Sequence, residues 1–427
     1  MMLYLDSGGL PARVNRIPIE EARTLLEKVL PVQPPELVPT ASAVGRILVE
    51  DFVAQKPFPP FDVSHIDGFA VRTYDLRGAS PDSPVTLKVK GASRPAGALP
   101  RRIGRGECIR VFTGAPLPPG ADAVVMQEKV KAEGQVATFV GGERPLTNIY
   151  RAGDDVKPGA LLLARGHSLT ARDVSFLLTY GVRELKVARA LRVSVLATGS
   201  ELVEEPEQLG EGKTLESNRI VLKELLRELG FVPADAGVAP DEVGPLASAM
   251  NDALQGSDAL LTTGGSSVSE ADLVPDAVAS LGGSVVFHGL LLKPSRTVGV
   301  AIVRGKPVFL LSGLIQASIS ALYNVVLPSL RHVQGLGWRG LSSVKARVTE
   351  DVAASDVPQI RRVIWVSLTS EGAILRASPI RASSPSRIVI TRANAFIVTG
   401  PGQALKKGDL VDVRLPPGFG LEASLGK

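Results

Sequence analysis

The 427 residues include one cysteine, Cys108, and four histidines. A lone thiol excludes an intrachain disulfide and any cysteine-rich metal cluster. No second histidine stands at ligand spacing from His288, which argues for a structural imidazole there. Aromatic residues make up only 4% of the chain and are not interleaved with basic ones, and Lys plus Arg total 48 against 43 Asp plus Glu, a dispersed net charge of +5. No nucleic-acid partner is therefore expected, whereas a mild positive field suits an anionic substrate. No uninterrupted apolar run approaches the roughly 18 residues that span a bilayer, and the opening MMLYLDSGGLPARVNRI lacks a basic segment followed by an apolar core. The expectation is a cytoplasmic protein with no membrane association. Low-complexity tracts and short-period repeats are missing too, which argues against a solenoid or a disordered scaffold.

What the chain does have is apolar content, 44% hydrophobic against 21% charged, enough for large cores over about three domains by length. Ile17, Ile19, Ala22, Leu25 and Val29 share one face of a helix that PVQPPELVP ends. Between Asp51 and Glu143, short runs such as VTLKVKG, CIRVF and ADAVVMQE alternate with Gly and Pro turns and predict a small β domain. A helix is predicted from near Thr170 through DVSFLLTYGV. From Leu191 onward, buried-strand runs (LRVSVLAT, DALLTTGG, PVFLLSG) alternate with helical ones (NRIVLKELLRELG, VGPLASAMNDALQ, IQASISALYNVVLPSLRHV), which predicts a doubly wound parallel sheet. After about Gly337 only alternating strands remain, and they read as a compact β-barrel.

In a doubly wound sheet, ligands sit beyond the carboxyl ends of the strands. Two loops there are candidates for a phosphate-containing ligand. LATGSEL carries Thr198, Gly199 and Ser200 for backbone approach and Glu201 as a carboxylate. TTGGSSVSEADL carries Thr263, Gly264 and Gly265, the hydroxyls of Ser266 and Ser267, and the carboxylate of Asp272. Either loop alone would equally well be a plain connection. HGLLLKPSRTVG sets Lys293 and Arg296 around Pro294, two cations able to hold an oxyanion, or else two solvated charges. In the β region, FPPFDVSHIDGFAVR offers Asp67 as a functional carboxylate or as part of an Asp-Gly reversal, and Asp155 in RAGDDVKPG carries the same two readings.

Taken in order, PPFDVSHIDGFAVR, RVFTGAPLPPGADAVVMQE, RAGDDVKPGALLLARGHSLTARDVSFLLTYGV, RVSVLATGSELVE, LESNRIVLKELLRELG, LLTTGGSSVSEADLV and ANAFIVTGPG resemble the MoeA and gephyrin E-domain family, the molybdopterin molybdenumtransferases, over nearly the whole chain. The resemblance implies a multidomain α/β and β protein. Its parts would be a discontinuous domain at 14–50 plus 146–186, a small β domain at 51–145, a MogA-like molybdopterin-binding α/β domain at 187–336, and a C-terminal β-barrel at 337–427.

It further implies a homodimer with its site between subunits, adenylylated molybdopterin and molybdate or tungstate as substrates, Mg²⁺ as cofactor, and molybdopterin adenylyltransferase as a partner. By motif match Asp67, Asp155, Glu201 and Asp272 would be the catalytic acids, and Glu201, Glu216 and Asp272 would hold metal. Thr113, Thr198, Gly199, Ser217, Asn218, Thr263, Gly264, Gly265, Ser266, Lys293, Arg296, Ser312 and Gly313 would bind substrate. The chain departs from the family at Lys293-Pro294-Ser295-Arg296-Thr297, where Arg replaces a second Lys. It also departs at Leu311-Ser312-Gly313-Leu314-Ile315, which lacks the usual amide and prolines, at Glu216 for Asp in the Asp-Ser-Asn string, and at Ser269-Glu270-Ala271-Asp272. A relative that binds the cofactor precursor without full turnover, or serves as a scaffold, is the alternative.

Overall fold

The computed structural model describes residues 16–265, 273–372, 374–381 and 386–417. The run RVSVLAT forms the strand Arg192–Thr198, and six strands assemble beside it in the order Val232–Ala239, Arg192–Thr198, Ala259–Thr263, Lys306–Leu311, Gly299–Val303, Ser284–His288. The first four are parallel, as the strand–helix alternation predicts. The last two are antiparallel additions, because Gly299–Val303 and Lys306–Leu311 are joined by a tight reversal at Arg304 and Gly305, both at positive φ.

Residues of alternating parity on these strands feed two cores. Leu261, Phe309 and Leu311 pack with Leu222 and Leu226 of the helix Asn218–Glu228. Leu260, Val308 and Leu310 pack with Leu246 and Met250 of Val243–Gln255 and with Val274 of Leu273–Ser280. Helices thus cover both faces, which is the doubly wound arrangement. The long helical run after the sheet is continuous but changes pitch, with Ile315–Ala321, a π turn at Leu322–Val326, and Leu327–Val333. Pro328, which has no N–H to donate, follows directly on the π turn.

The tail closes as predicted. Arg361–Glu371 pairs with Ile374–Pro379, which pairs in turn with Ser343–Val348, Leu410–Arg414 and Ala395–Val398, and the last returns to Arg361–Glu371, giving a five-stranded barrel. Leu292–Lys293 adds to it in parallel through Arg361 and Arg362.

By backbone contacts the chain groups into two compact units, one of Met1–Val49, Ser168–Ala171 and Glu184–Lys427, the other of Glu50–His167 and Arg172–Arg183. The first also contains the helix Ile19–Val29, and a two-stranded pairing of Glu36–Pro39 with Glu184–Val187. The second is built on a sheet ordered Ala123–Met126, Gly68–Val71, Glu107–Val111, Val85–Ser93, Val136–Phe139, Val130–Glu133. A further core in this unit joins Ala54, Val156 and Tyr180, the last from the helix Ala171–Tyr180. Among the described residues no helix is long and apolar enough to cross a membrane.

Candidate functional site

From Arg192–Thr198 the chain crosses to Val232–Ala239 on one side, then returns to Ala259–Thr263 on the other. This reversal opens a crevice at the carboxyl ends of the two central strands, where open α/β sheets bind ligands. The glycines of both predicted loops meet there. A Cβ on Gly264, whose φ is +96°, would lie 2.0 Å from the Thr198 carbonyl oxygen, and one on Gly265 would lie 2.9 Å from the Thr198 methyl. Only glycine allows the loops to touch in this way. On the other loop the Glu201 carboxylate folds back over Gly199, 2.7 Å from where a Cβ would stand. Asp241 braces the turn, accepting from the Thr198 hydroxyl at 2.9 Å and the Ser200 N–H at 3.1 Å.

The start of the helix Asn218–Glu228 closes the crevice. Asn218 donates to the Gly313 carbonyl at 2.7 Å and, at 3.4 Å, to Thr263, whose hydroxyl donates to the Ser312 carbonyl at 3.2 Å. One amide therefore ties two strand ends to the start of this helix. Glu216 accepts the Arg219 N–H at 2.8 Å, so it caps this helix. Arg219, 7% exposed, pairs with Glu216, Glu204 and Asp235. Although Asp235 is partly desolvated, hydrogen bonds from Lys223, the Gly237 N–H and Arg219 prevail and lower its pKa to about 2. The Asn218 Oδ1 is buried and has no hydrogen-bond partner, while the buried Glu216 Oε2 lies 3.5 Å from the Arg219 Nε in their ion pair.

The resulting cavity, about 90 Å³, is lined by Thr198, Glu201, Glu216, Ser217, Asn218, Thr263, Gly264, Gly313 and Arg387 among others. It is smaller than the roughly 300–1,000 Å³ that encloses a whole small-molecule ligand, which leaves room for one group of a larger one. In the Leu311-Ser312-Gly313-Leu314-Ile315 turn the Ser312 hydroxyl accepts the Leu314 N–H at 3.1 Å, and Ser318 donates to the Ser312 carbonyl.

Lys293 and Arg296 part company. Lys293 extends the barrel sheet and lines a separate cleft of about 470 Å³ with Gln316, Asp351, Arg362 and Arg381. Arg296 turns back, its N–H donating to the Pro294 carbonyl, and comes near Arg16, whose pKa is lowered by burial and then by the Arg296 charge. His288 is partly buried, and burial lowers its pKa against a hydrogen bond with the Thr297 backbone.

In the other unit, the Asp67-Gly68 pair is no reversal. Gly68 opens the strand Gly68–Val71, where a Cβ would strike the Val125 carbonyl oxygen at 2.1 Å. Asp67 accepts the N–H and the hydroxyl of Thr113, each at 2.8 Å; these bonds, in that order, hold its carboxyl below the usual range against slight desolvation, with help from Arg110. Asp155 accepts from Tyr150, which raises the tyrosine's pKa, with burial and the charges of Asp155 and Asp154 acting in the same direction. The antiparallel pairing of Val63–Ser64 with Ile149–Tyr150 brings the two motifs side by side.

The structure thus gathers Thr198, Gly199, Glu201, Glu216, Ser217, Asn218, Thr263, Gly264, Gly265, Ser312 and Gly313 around one crevice, sets Lys293 and Arg296 elsewhere in the same unit, and holds Asp67, Thr113 and Asp155 in the other unit. Ser266 and Asp272 lie outside the described residues. Sequence reasoning missed Asp241, which the Pro-Asp-Glu string ahead of a helix could have signalled, and Arg387, Arg362 and Arg381, for which no local signal exists.

Residues 17–181 match the family described as the MoeA N-terminal region (domain I and II), and 194–332 match a probable molybdopterin binding domain. The molybdopterin molybdenumtransferase of Staphylococcus aureus (strain COL) is 30% identical over 413 residues, 96% of this chain and 98% of that one. Its Staphylococcus epidermidis (strain ATCC 12228) counterpart is 31% identical over 385 residues, covering 90% and 91%. Two crystal structures of a molybdopterin biosynthesis MoeA protein from Pyrococcus horikoshii align with TM-scores of 0.79 and 0.74 at 29% and 30% identity, covering 95% and 94% of this chain and 100% of theirs.

Proposed function

Because this chain belongs to the MoeA family of molybdopterin molybdenumtransferases, we propose that it inserts molybdate or tungstate into adenylylated molybdopterin, with release of AMP, in molybdenum-cofactor biosynthesis. The observation that carries this reading is the crevice between Thr198 and Gly264, where glycine backbone leaves room for close approach and the buried Asn218 Oδ1 has no hydrogen-bond partner. No protein nucleophile is needed, since the pterin sulfurs and the metal oxyanion are the reacting groups. Lys293 and Arg296 are assigned to the oxyanion, and Arg362 and Arg381 add positive charge beside Lys293. Asp67, Asp155, Glu201 and Asp272 are assigned as the functional acids. The four-domain division at 14–50 plus 146–186, 51–145, 187–336 and 337–427 belongs to the same proposal, as do a cytoplasmic homodimer with a site shared between subunits and a molybdopterin adenylyltransferase partner.

Mg²⁺ keeps several waters and takes one or two carboxylates together with substrate phosphates. Glu201 and Glu216, both on the crevice wall, supply carboxylates of that kind, with Glu216 shared with Arg219. Among the described residues no three acidic, histidine or cysteine side chains are placed to hold a metal ion. When bound, Mg²⁺ would offset charge developing on the phosphoanhydride.

The test is a mass-spectrometric assay of the purified protein with adenylylated molybdopterin, Mg²⁺ and each oxyanion in turn. Loss of the adenylate together with appearance of the metal-loaded pterin is expected, and neither product appearing would overturn the reading. The replaced Leu314-Ile315 turn favours a second reading, a relative that binds the precursor without turnover; tight binding with no AMP released would select it.

A further inference from the structure

The wall of the 90 Å³ crevice carries two carboxylates, Glu201 and Glu216, and among its described residues a single cation, Arg387. That arginine precedes the short helix Ile388–Arg392, between two strands of the C-terminal barrel, yet its Nη1 donates to the Ser217 hydroxyl at 3.0 Å, across 170 positions of sequence. Ser217 is the residue before the helix Asn218–Glu228, but its side chain does not cap that helix. Glu216 has taken the capping role, and the serine hydroxyl is left to hold the guanidinium.

This bond engages one of Arg387's five N–H donors. No carboxylate among the described residues pairs with it, so its charge stays available to a ligand. Lining the same space, Asn218, 9% exposed, has a buried Oδ1 without a hydrogen-bond partner, whereas the Oε2 of Glu216, 6% exposed, is ion-paired with the Arg219 Nε at 3.5 Å. A group seated here must offer acceptor oxygens to the arginine and a donor or bound cation to the asparagine oxygen. A phosphate, alone or with a divalent cation, has that character, and an arginine fork grips its oxygens in pairs.

We propose that Arg387 is a substrate-binding residue of the α/β crevice, reaching in from the barrel to hold a phosphate of the nucleotide-bearing substrate. The identity of that substrate rests on the function proposed above. The experiment titrates wild type, Arg387→Gln and Arg387→Lys with two probes, adenylylated molybdopterin and inorganic pyrophosphate, at low and high salt, with thermal melting as the folding control. Arg387→Gln should bind both probes about tenfold more weakly or worse, the scale of a charge-assisted hydrogen bond, with a shallower salt dependence and an unchanged melting temperature. Arg387→Lys should fall between, because it keeps the charge but loses the fork. Weakened pyrophosphate binding in Arg387→Gln, with adenylylated molybdopterin binding neither protein, would sink the substrate reading and uphold Arg387 as a phosphate ligand. Equal affinities of wild type and Arg387→Gln for both probes, or no saturable binding of either probe by wild type, overturns the proposal.

Discussion

The Gly264 backbone lies against the Thr198 carbonyl so closely that a Cβ at position 264 would sit 2.0 Å from that oxygen. Two strand ends, 66 residues apart by numbering, are thereby held in contact at the mouth of the crevice. Gly264→Ala must both enter a left-handed conformation and push the strands apart. The conformational part alone costs about 1–2 kcal/mol. We expect a lowered calorimetric melting temperature and weakened binding of adenylylated molybdopterin. A variant melting as wild type would show that the loops do not meet in this way.

Thr113 gives Asp67 two hydrogen bonds, and Thr113→Val removes the hydroxyl while sparing the N–H. The Asp67 pKa, now depressed, should rise part of the way toward about 3.9, as carboxyl-labelled carbon NMR would record. A depressed folded-state pKa contributes stability above the unfolded value, and that stability is lost as pH falls through the folded one. The variant should therefore be less stable than wild type at neutral pH, the gap narrowing in acid. A Thr113→Val titration that overlays wild type would remove the hydroxyl from the account.

For Tyr150 the sign reverses. Its pKa is raised first by the hydrogen bond to Asp155, so this contribution is complete below the unfolded tyrosine value of about 10 and is lost as pH climbs through the folded one. Asp155→Ala should lower the Tyr150 pKa and remove this stabilisation, which is present at neutral pH and disappears in alkali. Near-ultraviolet titration, with Tyr150→Phe to identify the signal, checks it; an unmoved Tyr150 transition in Asp155→Ala would contradict the assignment.

Arg219 holds Glu204, Glu216 and Asp235 at once. Arg219→Ala leaves Glu216 buried without its cation, a kind of loss that costs about 3–5 kcal/mol, and chemical denaturation should show it. Asp235, at about 2 in the intact network, loses one of its donors. Its stabilising share, lost in wild type as pH falls from the ordinary aspartate range to about 2, should in the variant be smaller and be fully lost at a higher pH. An unchanged acid limb would mean that Lys223 and the Gly237 N–H suffice.

Local pattern determined much of this protein. Apolar strands alternating with amphipathic helices set the doubly wound domain, alternation without long helices set the barrel, and the glycines of LATGSEL and TTGGSS marked the strand ends that meet, because periodicity and glycine conformation act over a few residues. The antiparallel edge strands escaped the alternation rule, since a two-residue reversal at Arg304 and Gly305 replaces a crossover helix. Partnership was legible only in three dimensions. Lys293 and Arg296, three residues apart, separate because one continues a strand onto the barrel and the other turns back. Glu216, read as a metal ligand, spends one oxygen on the Arg219 N–H. Arg387 and Ser217, 170 positions apart, meet because the barrel packs beside the α/β sheet, and no local pattern encodes which distant side chains a packed fold will bring within hydrogen-bonding reach.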